Sequence, residues 1–489
     1  MRKTLERCVA DLQNFFKERQ EEIRGLLLAM LAREHILLFG PPGTAKSMLA
    51  RTACEVAGGA KFFSYLLTRF STPEELFGPL SIAALESDRY ERKTQGYLPE
   101  ATVGFLDEIF KANSSILNTL LTLLNEREFR NGVVHTKVPL RTVVGASNEL
   151  PDEKQGLEAL YDRFLFRYDT RYLVLPENFQ DVVFDDNTSG LPAIEPFNDS
   201  ELDECLARAL KVTVDTDVKA AIIAVRQMLL EKGLQISDRR WKQAIKVLKV
   251  AAAAEDKTMV DAGHVVLLKH MLWNTPEQKK DIATTCLRSL VMRGEELEEF
   301  VKEAKKFRES VLEKQDYLFP SPLLFKEDNG LIVSSWRELR SWTTSTNLNN
   351  AYAITDGISG IMRLPKLFTF LKNNRGWDFR LQVHQSSREA FLKNYDSLLG
   401  RLDILATLEE SETQRLREAV ESSLWLTASD IAALETILNT KEEHLATIKK
   451  ELALAHDIIT KTYCIVVDER DYIKVKAEEI VYADGNTCK

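Results

Sequence analysis

The sequence predicts an α/β core built on a parallel sheet, followed by an α-helical lid domain and a C-terminal region that mixes helices with short strands. Three observations support this fold class. Short apolar runs alternate with helical segments, which is typical of a parallel sheet. A glycine-proline loop joins the first apolar run to a helix. The chain also has 489 residues, which is too long for one ordinary core, so several domains are expected.

The first half of the core opens with helical periodicity over residues 4–33 and continues with a short buried strand at 35–39. A loop and a helix over about 46–56 follow. The run Thr-Pro-Glu-Glu at 72–75 predicts another helix start. Threonine suits the N-cap, proline suits the first helical position, and the two acids face the positive end of the helix.

The second half of the core has two clear signals. The run Asn-Ser-Ser-Ile at 113–116 starts a helix that we expect to reach about Arg127. The dipeptide Asn-Gly at 131–132 lies between apolar residues and is the strongest hairpin signal in the chain. A further buried strand is predicted over 141–147. Between 172 and 196 the pattern dissolves into Pro, Asn, Asp and Gly, which indicates a linker.

These elements divide the chain into three predicted domains. The α/β core spans residues 1–190, and an α-helical lid spans 196–275. Residues 276–489 form a C-terminal helical region with a small mixed α/β insertion at about 320–385. We expect this last region to bind a partner.

Composition narrows the class of protein. A net charge of −9 and a pI near 5.6 provide no overall attraction to nucleic acid or to anionic membranes. The six cysteines and seven histidines are scattered, which suits a reducing compartment and argues against a metal held by protein ligands alone. The first 20 residues lack the apolar stretch of a signal peptide, and the apolar cluster at 26–31 is too short to span a bilayer. We therefore expect a cytoplasmic protein without a membrane span.

The loop after the first strand has the residue types of a phosphate-binding P-loop, with a strand before it and a helix after it. It consists of Gly40, Pro41, Pro42, Gly43, Thr44, Ala45, Lys46 and Ser47. Its backbone N–H groups and the helix N-terminus suit phosphate oxygens. Lys46 reaches the β- and γ-phosphates, and the Ser47 hydroxyl suits Mg²⁺. The general pattern has glycine at position 45, and alanine fits there if its φ is negative. The alternative is a glycine-rich turn with a surface lysine.

Three polar side chains end the next two buried strands. Asp107 follows an apolar strand and suits the ordering of Mg²⁺. Glu108 suits the orientation or deprotonation of the attacking water. Asn148 closes the strand at 141–147 and is placed to hydrogen-bond the γ-phosphate or that water. The alternatives are an Asp-Glu pair in an ordinary turn and an asparagine that caps a turn.

Two pairs of arginines are candidates for contacts with the phosphates. Arg163 suits a finger that reaches the γ-phosphate of a neighbouring subunit, where such a charge is worth about 10³–10⁵ in rate. Arg167 is the second choice, and a surface ion pair of Arg163 with Asp162 is the alternative. Arg239 opens a lid helix and is expected to face back toward the nucleotide. Whether Arg239 or Arg240 is the lid arginine stays open, since neighbouring helical residues point to different sides.

These elements, in this order, resemble the MoxR family of AAA+ ATPases, and more closely its RavA subfamily. The matching runs are Gly-Pro-Pro-Gly-Thr-Ala-Lys-Ser at 40–47, Thr-Arg-Phe-Ser-Thr-Pro-Glu-Glu-Leu-Phe-Gly-Pro-Leu-Ser-Ile at 68–82, Gly-Tyr-Leu-Pro-Glu at 96–100, Phe-Leu-Asp-Glu-Ile at 105–109, Ala-Ser-Asn-Glu-Leu-Pro at 146–151, Leu-Glu-Ala-Leu-Tyr-Asp-Arg at 157–163 and Ser-Asp-Arg-Arg-Trp at 237–241. They cover about the first 275 residues, and the likeness is weak beyond residue 276.

The resemblance implies a homo-hexameric ring that hydrolyses ATP between its subunits. By likeness, Lys46 and Ser47 belong to Walker A, Asp107 and Glu108 to Walker B, Asn148 is sensor 1, Arg163 is the arginine finger and Arg239 is sensor 2. Residues 70–99 are similar to the helix-2 insert of the family, and residues 127–140 to its pre-sensor hairpin. Family members act as chaperone-like remodellers, often with a partner that carries a von Willebrand factor A domain.

Two other functions remain open from the sequence. A nucleic-acid motor of the helicase or clamp-loader type requires basic residues on the inserted hairpins. Arg89, Arg92, Lys93 and Lys137 supply some, but acidic residues lie among them. A non-catalytic nucleotide switch is the second, and Glu108 argues against it, because a pure binder does not need an acid that activates water. An ATP-driven ring that remodels protein partners is therefore the predicted function, with ATP and Mg²⁺ as cofactors.

Overall fold

The structure is a computed structural model that divides into two compact units. One unit comprises Met1–Met292 together with Thr413–Ile437, and the other comprises Arg293–Glu412 and Leu438–Lys489. The described residues are 1–58, 61–151, 157–184, 194–291, 294–313, 316–320, 325–326, 332–333, 381–461, 463–465 and 472–476. These units differ from the three predicted domains, because residues 413–437 fold with the first 292.

The core of the first unit is a parallel sheet of five strands in the order β2-β3-β6-β1-β7. The strands are β1 (His35–Phe39), β2 (Phe62–Leu66), β3 (Val103–Asp107), β6 (Thr142–Ser147) and β7 (Phe164–Asp169). Apolar side chains fill β1, β3 and β6 because both faces of a parallel sheet are covered by helices. The predicted α/β class and its parallel sheet are confirmed, and β1 has the predicted bounds.

Helices α1 (Arg2–Phe15) and α2 (Gln20–Ala32) precede the sheet, and α3 (Lys46–Val56) follows the P-loop. Asn113 caps α6 (Ser114–Glu126) through bonds from Ser115 N and Ile116 N, as predicted. Helix α7 (Glu158–Arg163) leads directly into β7. The predicted linker at 172–196 contains a further helix, α8 (Pro176–Phe184), so that prediction was wrong for these nine residues.

Two insertions lie on the core. The first contains α4 (Pro73–Phe77) and α5 (Ile82–Leu85), and Thr72 and Glu75 form the capping box of α4. The second is the predicted hairpin of β4 (Glu128–Asn131) and β5 (Val134–Lys137). The insertions are joined through the Asn131 side chain, which accepts from Arg92 N at 2.7 Å and donates to Arg92 O at 3.0 Å.

The lid consists mainly of helices. Its elements are α9 (Asp199–Ala209), β8 (Thr213–Val214), α10 (Thr216–Glu231), α11 (Asp238–Ala254), β9 (Met259–Val260), α12 (Ala262–Val265), a 3₁₀ turn (Val266–His270) and α13 (Gln278–Leu290). The parallel pair β8–β9 was not predicted, because two residues are too few to show an alternating pattern.

Residues 413–437, here termed the hairpin tip, connect the last two long helices and pack on the lid and α2. Trp425 is 3% exposed and donates from Nε1 to Ala251 O at 3.1 Å. Leu424 N donates to Glu255 Oε1 at 2.8 Å, and Leu424 O accepts from Arg24 Nε at 2.8 Å. The predicted boundary near 275 therefore omits a piece of the first unit.

The second unit is built on three helices: α14 (Gly294–Glu313), α15 (Gln385–Glu421) up to residue 412, and α16 (Ala428–Lys461) from residue 438. Phe300, Phe307, Leu402 and Leu452 belong to its buried core. A sheet of β10 (Asp316–Pro320), β13 (Leu381–His384), β14 (Tyr463–Ile465) and β15 (Tyr472–Lys476) accompanies them, and β11 (Phe325–Lys326) pairs with β12 (Ile332–Val333). Most of the predicted insertion at about 320–385 lies outside the described residues.

Across the part of the chain that the structure describes, we find no helix whose length and hydropathy would let it cross a membrane.

Candidate nucleotide site

The P-loop lies at the carboxyl edge of the sheet, between the ends of β1 and α3. Gly40 has φ +145°, and a Cβ there would lie 2.0 Å from the Thr170 carbonyl oxygen. Only glycine fits this close approach of two backbone segments. Thr44 Oγ1 donates to Pro41 O at 3.0 Å and lies 3.3 Å from Thr170 Oγ1. The residue after β7 therefore supports the loop from outside.

Ala45 differs from the sequence-based expectation. Its φ is +62° rather than negative. The backbone of Ala45 is therefore in the left-handed region, which costs a non-glycine residue about 1–2 kcal/mol. The side chain is exposed, and α3 begins at the next residue. The turn from β1 into α3 imposes this conformation, which explains why glycine is the general choice at this position.

Lys46 is 8% exposed, and its ammonium group is held by the loop itself. Nζ donates to Gly40 O at 2.7 Å and to Pro41 O at 2.8 Å. Burial lowers the pKa of Lys46, while the carboxylates of Asp107 and Glu108 act in the opposite direction. The lysine and both acids therefore share one electrostatic environment, although β6 separates their strands.

The carboxyl ends of β3 and β6 bring the predicted polar groups together. Asn148 Nδ2 donates to Glu108 Oε1 at 3.0 Å, and Asp107 Oδ1 accepts from Glu108 N at 3.0 Å. Glu108 has φ +51°, a conformation that costs about 1–3 kcal/mol and is common at functional sites. The amide thus orients the carboxylate that was predicted to activate water.

Two side chains with oxygen ligands suited to Mg²⁺ lie near Lys46. Ser47 is exposed in the first turn of α3, and Asp107 is partly buried at the end of β3. Hard oxygen ligands with room for water and phosphate are what Mg²⁺ requires. Ser47 and Asp107 are therefore the residues that fit the ion.

Arg163 lies at the amino edge of the sheet, where the parallel strands begin, opposite the carboxyl edge that carries the P-loop. It directly precedes β7, and Phe164 at the start of β7 pairs with His35 at the start of β1. Four residue steps of about 3.3 Å, roughly 13 Å, separate that end of β1 from the P-loop. Arg163 Nε is buried and has no hydrogen-bond partner among the described residues. Its guanidinium therefore does not serve the P-loop of its own chain.

The other predicted arginines also lie at this amino edge. Arg239 donates to Asn125 Oδ1, near the end of α6, and His35 Nε2 lies 3.0 Å from the neighbouring Leu124 O. Arg239 therefore does not face the nucleotide site of its own chain, in contrast to the expectation, because the lid packs against the opposite end of the sheet. Arg240 is 4% exposed and pairs with Asp162 at 3.2 Å.

Arg167, the second finger candidate, is fully buried. It donates to Phe164 O and Tyr161 O at 3.2 and 3.0 Å, and its Cζ lies 3.6 Å from the centre of the Tyr161 ring. Such bonds hold it inside its own subunit. The pairing of Asp162 with Arg240 also replaces the surface ion pair of Arg163 that was the alternative.

Sequence reasoning missed two groups near the pocket. Lys111 Nζ lies 3.3 Å from Glu108 Oε2 and forms an ion pair with it. Arg19 is 6% exposed, donates to Glu18 O at 2.9 Å and to Arg171 O, and its charge lowers the pKa of Lys46. Lys111 follows the acidic motif by three residues, a spacing that sequence could have revealed. Arg19 has no such signal, because it precedes the P-loop by more than 20 residues.

The fold and these side chains define a P-loop NTPase of the AAA+ class. The model of the MoxR domain in the MoxR-vWA-beta-propeller ternary systems matches residues 3–188. An AAA lid domain matches residues 217–285.

The chain is similar to three curated relatives. The uncharacterized protein MJ0812 of Methanocaldococcus jannaschii is 43% identical over 275 residues, which cover 56% of this chain and 72% of that protein. MJ0079 of the same organism is 41% identical over 272 residues, 55% of this chain and 70% of that protein. Chaperone MoxR1 of Mycobacterium tuberculosis is 28% identical over 187 residues, 37% of this chain and 48% of that protein. The chain belongs to the MoxR family of AAA+ ATPases.

Proposed function

We propose that the chain hydrolyses ATP with Mg²⁺ at the P-loop, in a site that a second copy of the chain completes. The observation that carries this proposal is the Asn148–Glu108 hydrogen bond beside the buried Lys46. Lys46 would leave the carbonyls of Gly40 and Pro41 to meet the β- and γ-phosphates. Glu108 would accept the proton of the attacking water, and Asn148 would hold that carboxylate and the γ-phosphate in register. Bound Mg²⁺ neutralises phosphate charge.

The second copy supplies the arginine finger in this proposal. Arg163, Arg167 and Arg240 lie at the amino edge, and their one ion pair among the described residues is Arg240–Asp162. Arg167 and Arg240 are buried and bonded within their own subunit, which leaves Arg163 as the arginine that suits the anionic triphosphate of a neighbour. A closed homo-hexameric ring, in which each amino edge meets the next carboxyl edge, satisfies every site.

We further propose that the ring is a chaperone-like remodeller of RavA-like type, whose second unit binds partners. The name of Chaperone MoxR1 supports the chaperone-like role, and the MoxR-vWA description of the matching model supports a partner with a von Willebrand factor A domain. The inserted hairpins give less support to a nucleic-acid motor. Arg92 pairs with Glu74 at 3.2 Å and donates to Gly78 O at 2.9 Å, and Arg89 pairs with Glu91 at 3.1 Å.

Two variants test the pocket. Lys46→Ala should lose most ATP affinity, because it deletes the cation of the phosphate site. Glu108→Gln should bind ATP and release no phosphate at steady state. Nucleotide titration and phosphate release on the full chain measure both. Parental ATP binding by Lys46→Ala, or parental turnover by Glu108→Gln, would contradict the proposed pocket.

Mixed rings test the finger. Arg163→Ala should bind ATP normally and hydrolyse it at least tens of times more slowly. Mixing it with the inactive Lys46→Ala chain should restore part of the turnover, because some interfaces then join an intact pocket to an intact finger. Each variant mixed with itself is the control. Mixed rings that form by native mass spectrometry but show no recovery would exclude Arg163 as the trans finger.

A further inference from the structure

Asn274, in the loop before α13, contacts residues on both sides of Arg163. Its Oδ1 accepts from Arg167 Nη1 at 3.1 Å and from Arg240 Nη1 at 2.9 Å. Its backbone oxygen accepts from the Tyr161 hydroxyl. Tyr161 precedes Arg163 by two residues and Arg167 follows it by four. One lid residue therefore bonds to α7 through Tyr161 and to β7 through Arg167.

The loop that carries Asn274 is itself anchored. Asn274 N and Thr275 N both donate to Gln278 Oε1, at 2.8 and 3.2 Å, which ties the loop to the first turn of α13. Arg240, in the first turn of α11, adds its ion pair with Asp162. Helix α11 and the loop before α13 thus both bond to α7, the short helix that ends in Arg163.

Burial makes these contacts hard to exchange for others. Arg167 is fully buried and Arg240 is 4% exposed. A guanidinium keeps its charge in proteins, so each of these groups requires acceptors in place of water. The Asn274 amide oxygen serves both. Without it, two buried cationic donors would lose an acceptor, so the arrangement fixes α7 against the lid.

We propose that Asn274 is a positioning residue that couples the lid to Arg163, so that a movement of the lid in one subunit moves the finger in the pocket of its neighbour. This inference rests on the proposed trans role of Arg163. Asn274 acts through that arginine and touches neither nucleotide nor P-loop.

Asn274→Leu in the full chain tests the coupling, because leucine has a similar volume and no acceptor. ATP affinity and KM should stay at the parental values. The value of kcat should fall roughly 10- to 100-fold, since a displacement of about 1 Å can cost a reaction about 100-fold. Mixing with Lys46→Ala chains should recover turnover, whereas mixing with Arg163→Ala chains should not. A general loss of lid structure would not produce this pattern.

Three further variants sharpen the result. Asn274→Asp keeps the acceptor oxygens and should retain parental kcat. Tyr161→Phe removes only the hydrogen bond from the Tyr161 hydroxyl to Asn274 O, and it replaces Asn274→Leu as the test if that variant does not fold. It should lower kcat roughly two- to tenfold, and mixing with Lys46→Ala chains should recover the turnover. Gln243→Leu is the matched control. It also removes an amide contact between lid and core, the 3.2 Å bond to Glu34 Oε2, but makes no hydrogen bond to α7 or to Asn274 among the described residues and should keep parental kcat.

The outcomes separate the two proposals. Parental kcat in Asn274→Leu overturns the coupling, as does a loss that Lys46→Ala chains do not recover while they recover Arg163→Ala. Failure to recover Arg163→Ala itself overturns the trans finger and, with it, the basis of the coupling.

Discussion

Trp425 offers a sharp test of whether the hairpin tip is part of the nucleotide-binding unit. It comes from the C-terminal part of the sequence, yet it is 3% exposed and bonds to Ala251 O in the lid helix α11. Trp425→Ala should therefore destabilise the unit that contains the P-loop, although 379 positions separate Trp425 from Lys46.

The expected magnitude follows from burial. A buried tryptophan removes about 150–250 Å² from water, which at about 25 cal/mol per Å² corresponds to about 4–6 kcal/mol as an upper bound. Measured tryptophan-to-alanine changes in cores cost about 3–5 kcal/mol. We expect about 3–5 kcal/mol, because the bond to Ala251 O adds little net free energy.

Amide hydrogen exchange of α11 measures this loss locally, which matters because unfolding of two units is not a single transition. The most protected amides of α11 should exchange at least about 100-fold faster, since about 1.4 kcal/mol is tenfold. Ile404→Ala, at a position that is 64% exposed, is the control and should leave α11 unchanged. Unchanged protection of α11 in Trp425→Ala would refute the assignment of the tip to this unit.

Two more predictions concern charge and strain. Burial lowers the pKa of His264, but its bonds to Asp261 and Glu255 outweigh burial and raise it to about 9. Its contribution to the free energy of unfolding, up to about 3 kcal/mol, should be complete below pH 6.5 and should be lost as the pH rises through about 9. Urea unfolding of His264→Gln should show no such loss in that window, and an identical pH dependence would contradict this role. In the P-loop, Ala45→Gly should bind ATP and raise thermal stability by about 1 kcal/mol, whereas Gly40→Ala should lose binding because of the clash with Thr170. Nucleotide titration measures the ATP affinity of the two variants, and calorimetry measures their thermal stability. Equal affinity and equal stability of the two variants would refute the strain argument.

Local sequence signals predicted much of the sheet and its helices. The apolar run of β1, the asparagine cap of α6 and the Asn-Gly hairpin each depend on neighbours within a few residues. Such patterns are readable because the physical cause is local. The carboxyl ends of β3 and β6 also brought Glu108 and Asn148 together, since parallel strands end at a common edge.

Features that depend on distant contacts were not readable. Helix α8 begins at Pro176 and has no buried residue, and its few apolar residues lie in a stretch that is rich in Pro, Asn, Asp and Gly, so no buried stripe marks it. The hairpin tip belongs to the first unit through contacts between distant parts of the sequence, such as Leu424 with Glu255, 169 positions apart. The positive φ of Ala45 and Glu108 is imposed by the loops in which they lie, not by their own preference.

The arginines show what the fold adds to the motif reading. In the sequence, Arg163, Arg167 and Arg240 are three separate candidates for contacts with phosphate. In the structure they lie at the amino edge of the sheet, while Lys46, Asp107 and Glu108 lie at the carboxyl edge. A single chain cannot bring these two sets together, because a strand length and the packed core separate them. Arg167 and Arg240 are bonded to Asn274 within their own chain, so Arg163 is the candidate for the ATP of another chain, and the proposed role of Asn274 makes the lid the element that positions it.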